Sequence, residues 1–187
     1  MIEYSEINEN DLQQIIDLYE NYLNSGEYIS DSIKEAFQTE NYIGFKACDG
    51  DRIVGFFSGQ EGIAFTYPHP ELEKEISDFA GNKKIYNPDA LFLFEEYRNK
   101  GIAKELIRRM KDKILEKNMQ LVIVELWIYP NNTVPAKKPL EMFGNIVFQK
   151  EVPFFYKDLH KYGVKCPLCG DKCNCGALII VFDLDNW

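Results

Sequence analysis

An α/β fold is the class this sequence predicts: one domain over residues 1–187, with a mixed, largely antiparallel central sheet and helices on both faces. Three observations predict it. Helix-period and strand-period segments alternate along the chain. A dense apolar run at Ala90–Phe94 feeds a basic loop that opens an amphipathic helix. A second apolar run, Leu121–Tyr129, follows that helix directly. A chain of 187 residues, 45% hydrophobic and 14% aromatic, is long and apolar enough for one sizeable core.

The elements follow in order. Leu12, Ile15, Ile16, Tyr19, Tyr22 and Leu23 fall at helical spacing behind Asn8-Glu9-Asn10-Asp11, a capping-type stretch. Ser32 and Glu35 have capping-box spacing and predict a second helix starting at Ser32. Ile43–Ala47 and Ile53–Phe57 flank Asp49-Gly50-Asp51 and predict a β-hairpin. Pro70 predicts the first turn of a helix over the following Glu-rich residues, ended at Gly81-Asn82. Residues 59–89 as a whole read as an insertion between strands. After Gly101, Ile102, Leu106, Ile107, Met110, Ile114 and Leu115 share one helical face. Pro135 and Pro139 are too close for a regular helix to run through both. Two further strands are predicted at about 146–159 and 177–184, with a cysteine-rich loop, 163–176, between them.

Acidic residues outnumber basic ones 30 to 21, a net charge of -9. That balance excludes a general nucleic-acid binder, which needs a cationic surface to neutralise phosphates. It suits a cationic acceptor such as an amine. No segment approaches the ~20 apolar residues of a membrane span, and the N-terminus carries no basic and apolar leader. The sequence therefore predicts a cytoplasmic protein without a membrane partner, whose five cysteines stay reduced.

The chemistry concentrates in Leu93-Phe94-Glu95-Glu96-Tyr97-Arg98-Asn99-Lys100-Gly101-Ile102-Ala103-Lys104. A strand enters a tight basic loop that becomes a helix, and a helix N-terminus offers unpaired N–H groups and partial positive charge to an anion. Gly101 and Ala103 keep side chains small where a phosphate would approach, and Arg98, Lys100 and Lys104 supply formal charge. The competing reading is a plain strand-to-helix turn with a solvated basic face.

Arg98-Asn99-Lys100-Gly101-Ile102-Ala103 resembles the Arg/Gln-x-x-Gly-x-Gly/Ala signature of the GNAT superfamily of N-acetyltransferases. The resemblance runs from the start of the chain to about Phe148 and resumes at the last strand. It implies a single-domain GNAT-like fold, acetyl-CoA as cofactor, and direct transfer of acetyl to a small-molecule or peptide amine. By that resemblance the backbone from Asn99 to Lys104 holds the pyrophosphate and Leu93 and Phe94 pair with the pantetheine arm. Asn131 or Asn132 lies near its thiol end, and the sheet splays between the strands at Leu93 and Leu126. A homodimer is the oligomer that similar proteins suggest. Many relatives place a tyrosine four residues before a Gly-Phe pair as general acid; here that position is Leu140, so the acid is not assigned by the motif.

Direct transfer needs a base to neutralise the amine and an acid for the thiolate. Glu125, mid-strand among apolar residues, is one base; Glu96, with Glu95, could hold a relaying water. Tyr129, Tyr97 and Tyr156 are the candidate acids. A non-catalytic acyl-CoA-binding module with a protein-contacting cysteine loop is the alternative function. In that loop Cys166-Pro167-Leu168-Cys169-Gly170 and Cys173-Asn174-Cys175 place four thiols within ten residues, which predicts a structural zinc site. Free thiols at a hairpin tip, or a redox pair, are its competitors.

Overall fold

A computed structural model describes residues 1–23, 26–66, 68–166 and 168–184, and the side chains of 23–29 stand outside that description. Leu23 of the predicted helical face and Pro167 of the cysteine turn therefore lie outside the described side chains.

The described residues form one seven-stranded sheet. Its strands are β1 (Ile2–Glu6), β2 (Tyr42–Asp49), β3 (Arg52–Glu61), β4 (Ile85–Leu93), β5 (Leu121–Ile128), β6 (Asn145–Val152) and β7 (Gly176–Asp183). Their order is β1-β2-β3-β4-β5-β7-β6, and only β4–β5 is parallel. The helices are α1 (Leu12–Leu23), α2 (Gly26–Phe37), α3 (Pro70–Ala80), α4 (Ile102–Glu116) and the single turn α5 (Lys137–Leu140).

Alternation along the strands divides the core. Val122, Val124 and Leu126 of β5 join Leu106, Ile107 and Met110 of α4 on one face. Ile123 of β5 joins Leu72 and Ile76 of α3 on the other, where Ile15 and Leu18 of α1 also cover Phe56 and Ala90. Helices thus cover both faces, as the alternating pattern requires.

Several boundaries differ from the sequence expectation. α2 begins at Gly26, so Ser32 lies inside the helix and does not cap it. The capping-type stretch before α1 forms a capping box instead, Asn8 with Asp11, heading a 3-10 turn. β1 was not expected; only two of its five residues, Ile2 and Tyr4, are even half-buried, so its apolar signal is weak. The strand expected over 146–159 stops at Val152, and turns fill 153–162. Residues 59–89 are only partly an insertion, because they include the end of β3 and the start of β4.

β4 carries the sheet's opening. It pairs with β5 at Ile85↔Leu121 and Tyr86↔Val122 only, and the two strands then separate. Pro88 follows that point, opposite Gly59 at a register shift in the β3–β4 ladder. A proline has no N–H for a ladder, so it fits a strand only at a bulge or a free edge. Asn87 sits at the fork: its Nδ2 donates to Ile123 O (3.3 Å) and its Oδ1 accepts from Ala64 N (2.6 Å).

Candidate active site

The loop after β4 gives a helix N-terminus free of local caps. Phe94 is followed by a 3-10 turn, Glu95–Tyr97, and then by Asn99 (φ 60°) and Gly101 (φ 81°) in the left-handed region. Gly101 is the N-cap of α4 and offers no side-chain cap. The first amide of α4 bonded back into the helix is Glu105 N, to Gly101 O (3.1 Å). The amides of Ile102, Ala103 and Lys104 precede it and point out of the helix start. A Cβ at Gly101 would touch nothing within 4 Å, so glycine is there for its positive φ, beside open space. Ile102 is buried in the α4 core, Ala103 is half-buried, and Lys104 is exposed. The Arg98 guanidinium lies over the Tyr22 ring (5.2 Å) and the Lys100 ammonium over the Tyr97 ring (5.1 Å). Together these place three cations and three helix-start amides at one end of α4.

The exposed edge of β4 lies next to them. Phe94 N donates to Val54 O (3.0 Å), turning that residue's amide toward β3. Its neighbour Leu93, out of phase by one, therefore directs its N–H and C=O to the open edge. The Leu93 carbonyl accepts the Tyr22 hydroxyl there (2.6 Å).

Glu125 stands on β5 beyond the fork, on the face away from α4. It is half-buried and accepts three hydrogen bonds, from Thr66 N (2.9 Å), Thr66 Oγ1 (2.6 Å) and Tyr156 Oη (2.7 Å). Burial raises its pKa above the ordinary carboxylate value, and the three donors oppose that rise. Trp127, two residues on, packs against Tyr156 at 4.4 Å between ring centres. The chain between β3 and α3 crosses this face as a strap: Gly62 N reaches Ile85 O, Ala64 N reaches Asn87 and Thr66 reaches Glu125.

A second carboxylate on the same face escaped the sequence reading. Asp89 of β4 accepts from Ser58 Oγ (2.6 Å) and Tyr19 Oη (3.4 Å). Its side chain is open to solvent, yet protein crowds it from the strand side and pushes its pKa up to about 6. Its signal was an acid directly before the apolar run Ala90–Phe94, hidden by the Asn-Pro-Asp run that reads as a turn.

The other predicted residues are more scattered. Glu96 is exposed on the 3-10 turn and pairs with Arg52 (3.3 Å), so it is not gathered with Glu125. Tyr97 donates to Asp49 (2.9 Å). Tyr129 closes the end of β5, its N–H bonded to Thr133 O (2.9 Å) and its carbonyl accepting Asn132 N (2.8 Å). The Asn131 side chain accepts from Thr133 (2.7 Å), and Asn132 has a φ of 60°.

An uncapped helix start with cations gathered on it thus lies beside a strand whose parallel partner diverges. The acetyltransferase (GNAT) family profile matches residues 10–137, more than half of the chain. The chain belongs to the GNAT acetyltransferase family. No curated protein matches it in sequence. Among solved structures, Arabidopsis thaliana NAA60 in complex with acetyl-CoA is similar over 100% of both chains, with 18% identity and a TM-score of 0.72. The ribosomal-protein-S18-alanine N-acetyltransferase of Escherichia coli is 13% identical over 98% of this chain and 94% of its own, with a TM-score of 0.66. The NatC complex bound to Gag peptide and CoA is 16% identical over 98% of each chain, at 0.61. At these identities the structures bear on the fold, which is the GNAT fold.

Proposed function

We propose that this GNAT chain transfers the acetyl group of acetyl-CoA directly to a primary amine, with a peptide α-amine as the preferred acceptor. The observation that carries the reading is the fork between β4 and β5. It leaves one strand edge unpaired beside the anion site and sets Asp89 and Glu125 on the two diverging strands.

The roles follow from chemistry. The pyrophosphate binds the amides and cations from Arg98 to Lys104, with the charged ligand at the positive end of α4. The pantetheine arm lies along β4 as an added strand, bonding the outward N–H and C=O of Leu93. The thioester then sits in the fork, near Asn131, Asn132 and Tyr129. Asp89 and Glu125 draw a cationic amine to the opposite side. Glu125, directly or through one water, removes a proton so that the neutral amine attacks the thioester carbonyl. Tyr129 returns a proton to the departing CoA thiolate. The C–S bond breaks as the C–N bond forms.

A peptide α-amine suits this site energetically. Its pKa of about 8 lies well below the ~10.4 of a lysine ammonium, so deprotonation by the same carboxylate costs ~3 kcal/mol less. The similar structures include an alanine N-acetyltransferase of a ribosomal protein and a complex holding a peptide with CoA. Two carboxylates at the fork favour catalysis over a module that only binds acyl-CoA.

The test is release of CoA thiol from acetyl-CoA with three acceptors: peptides with free N-termini, Nα-blocked lysine peptides, and a polyamine. Turnover is expected with the first and should collapse in Glu125→Gln. Turnover confined to the polyamine would reject the α-amine assignment, and none with any amine would reject catalysis.

A further inference from the structure

Four thiols outside the fork converge to a point. The sulfurs of Cys166, Cys169, Cys173 and Cys175 all lie within 4.8 Å of one another. Cys166 and Cys175 are 3.9 Å apart at sulfur, and Cys169 and Cys175 are 3.7 Å apart. A tetrahedron with Zn–S bonds of ~2.3 Å has S···S edges of about 3.8 Å. The cluster therefore already has the size of the coordination polyhedron.

The backbone is folded for thiolates. Cys166 and Gly170 form an isolated bridge, Cys166 N to Gly170 O (3.2 Å) and Gly170 N to Cys166 O (2.9 Å). Gly170 turns this knuckle at φ 71°, a conformation L side chains disfavour. The turn aims Cys169 N at Cys166 Sγ (3.4 Å), and Cys175 N likewise donates to Cys173 Sγ (3.4 Å). Amide donors of this kind stabilise metal-bound sulfur. Cys166, Cys173 and Cys175 are buried with Phe155, Leu159 and Val164, and Cys169 is half-buried.

The cluster is also tied to the fork. Cys175 O accepts Tyr156 N (3.4 Å), and Tyr156 Oη donates to Glu125 (2.7 Å). Tyr156 in turn packs on Trp127. Among the described residues of 153–175 the other regular element is the 3-10 turn Leu159–Tyr162, so fixing the four sulfurs helps to fix where Tyr156 presents its hydroxyl.

We propose that Cys166, Cys169, Cys173 and Cys175 bind one zinc ion in a closed tetrathiolate site, and that this ion sets the position of Glu125 through Tyr156. Four protein sulfurs leave no position for water, so the ion is structural and the thiol protons are released to solvent on binding. Tyr156 acts as a positioning residue. The zinc assignment stands on the cluster alone, while the coupling rests on the proposed role of Glu125.

Elemental analysis and cobalt substitution of the full chain test the site without any assay of turnover. The expected result is roughly one zinc per chain, lost in Cys169→Ser and retained in Cys48→Ser. Cobalt should give the intense visible bands of a tetrahedral thiolate site, a readout on the intact sequence should Cys169→Ser fail to fold. Folded protein that takes up neither zinc nor cobalt overturns the site, and iron in place of zinc overturns the choice of metal. For the coupling, zinc is stripped with a mercurial in a Trp187→Phe background. Trp127 emission and the acid limb of kcat should move, while the thermal shift given by acetyl-CoA persists. The limb should stay still on stripping in Tyr156→Phe. A stripped protein with unchanged emission and an unchanged limb overturns the coupling; a missing acetyl-CoA shift in the zinc-loaded protein overturns the enzymatic reading instead.

Discussion

At the scale of single residues, Asp89 and Glu125 differ in ways that separate their expected effects. Glu125 is held by three donors, so Glu125→Gln exchanges a matched acceptor for an amide that turns N–H groups toward other donors. If Glu125 is the general base proposed for it, that exchange should lower kcat by roughly 10²–10⁴-fold, measured with saturating acetyl-CoA and peptide. Asp89 is the residue proposed to attract the ammonium, so Asp89→Asn should raise KM for the peptide and leave kcat within a few fold. With its pKa pushed up to about 6, Asp89 is neutral in acid, and peptide affinity should improve as pH climbs through that value. The variant should lose this dependence. The sign for stability is opposite. A carboxyl whose folded pKa is raised holds its proton more tightly when folded, so Asp89's contribution to stability falls as pH rises from 3.8 toward about 6. Of these two acids only Glu125 was legible in the sequence, because a lone charge in an apolar run breaks the expected pattern. Asp89 stood beside Asn and Pro, and turn chemistry explained it equally well.

At the scale of elements, the start of α4 makes the sharpest prediction. Gly101 holds a positive φ and caps the helix with nothing but backbone. In Gly101→Glu the new carboxylate stands beside the amides proposed to hold the pyrophosphate, and the left-handed φ adds ~1 kcal/mol of strain. Acetyl-CoA at 100 times its dissociation constant should stabilise the parent protein by ~2.7 kcal/mol, and the resulting rise in melting temperature should vanish in the variant. An equal rise in both proteins would move the cofactor elsewhere. This element was readable because its signals agree: basic loop, glycine, then an apolar stripe of period 3.6. The start of β4 was not, since Asn87, Pro88 and Asp89 break strand propensity for the same reason that they open the sheet. α2 was misplaced at Ser32 because a capping-box spacing also arises within a helix, where both side chains face solvent. The extent of β6 was overrun because Phe154 and Phe155 continue its apolar signal past Val152, where Phe155 turns into the cluster around the cysteines.

Across the whole molecule, charge is unevenly arranged. The chain carries a net -9, and two carboxylates sit at the fork on the α1 side, yet Arg98, Lys100 and Lys104 gather where α4 begins. The anionic donor and the proposed cationic acceptor would thus meet complementary fields on different sides of one opening, which raises encounter rates without new contacts. Screening weakens both attractions, because the Debye length is already ~10 Å at 0.1 M salt and shortens to ~3 Å at 1 M. KM for acetyl-CoA and KM for a peptide with two or more positive charges should both rise with ionic strength, while kcat stays level. Steady-state kinetics from low to high sodium chloride check this. An uncharged-side-chain peptide with the same N-terminus serves as the internal comparison, since it carries only the reacting ammonium and its KM should climb less steeply. If both peptides respond alike, the acidic surface contributes only solubility, and acceptor choice lies wholly in contacts at the fork.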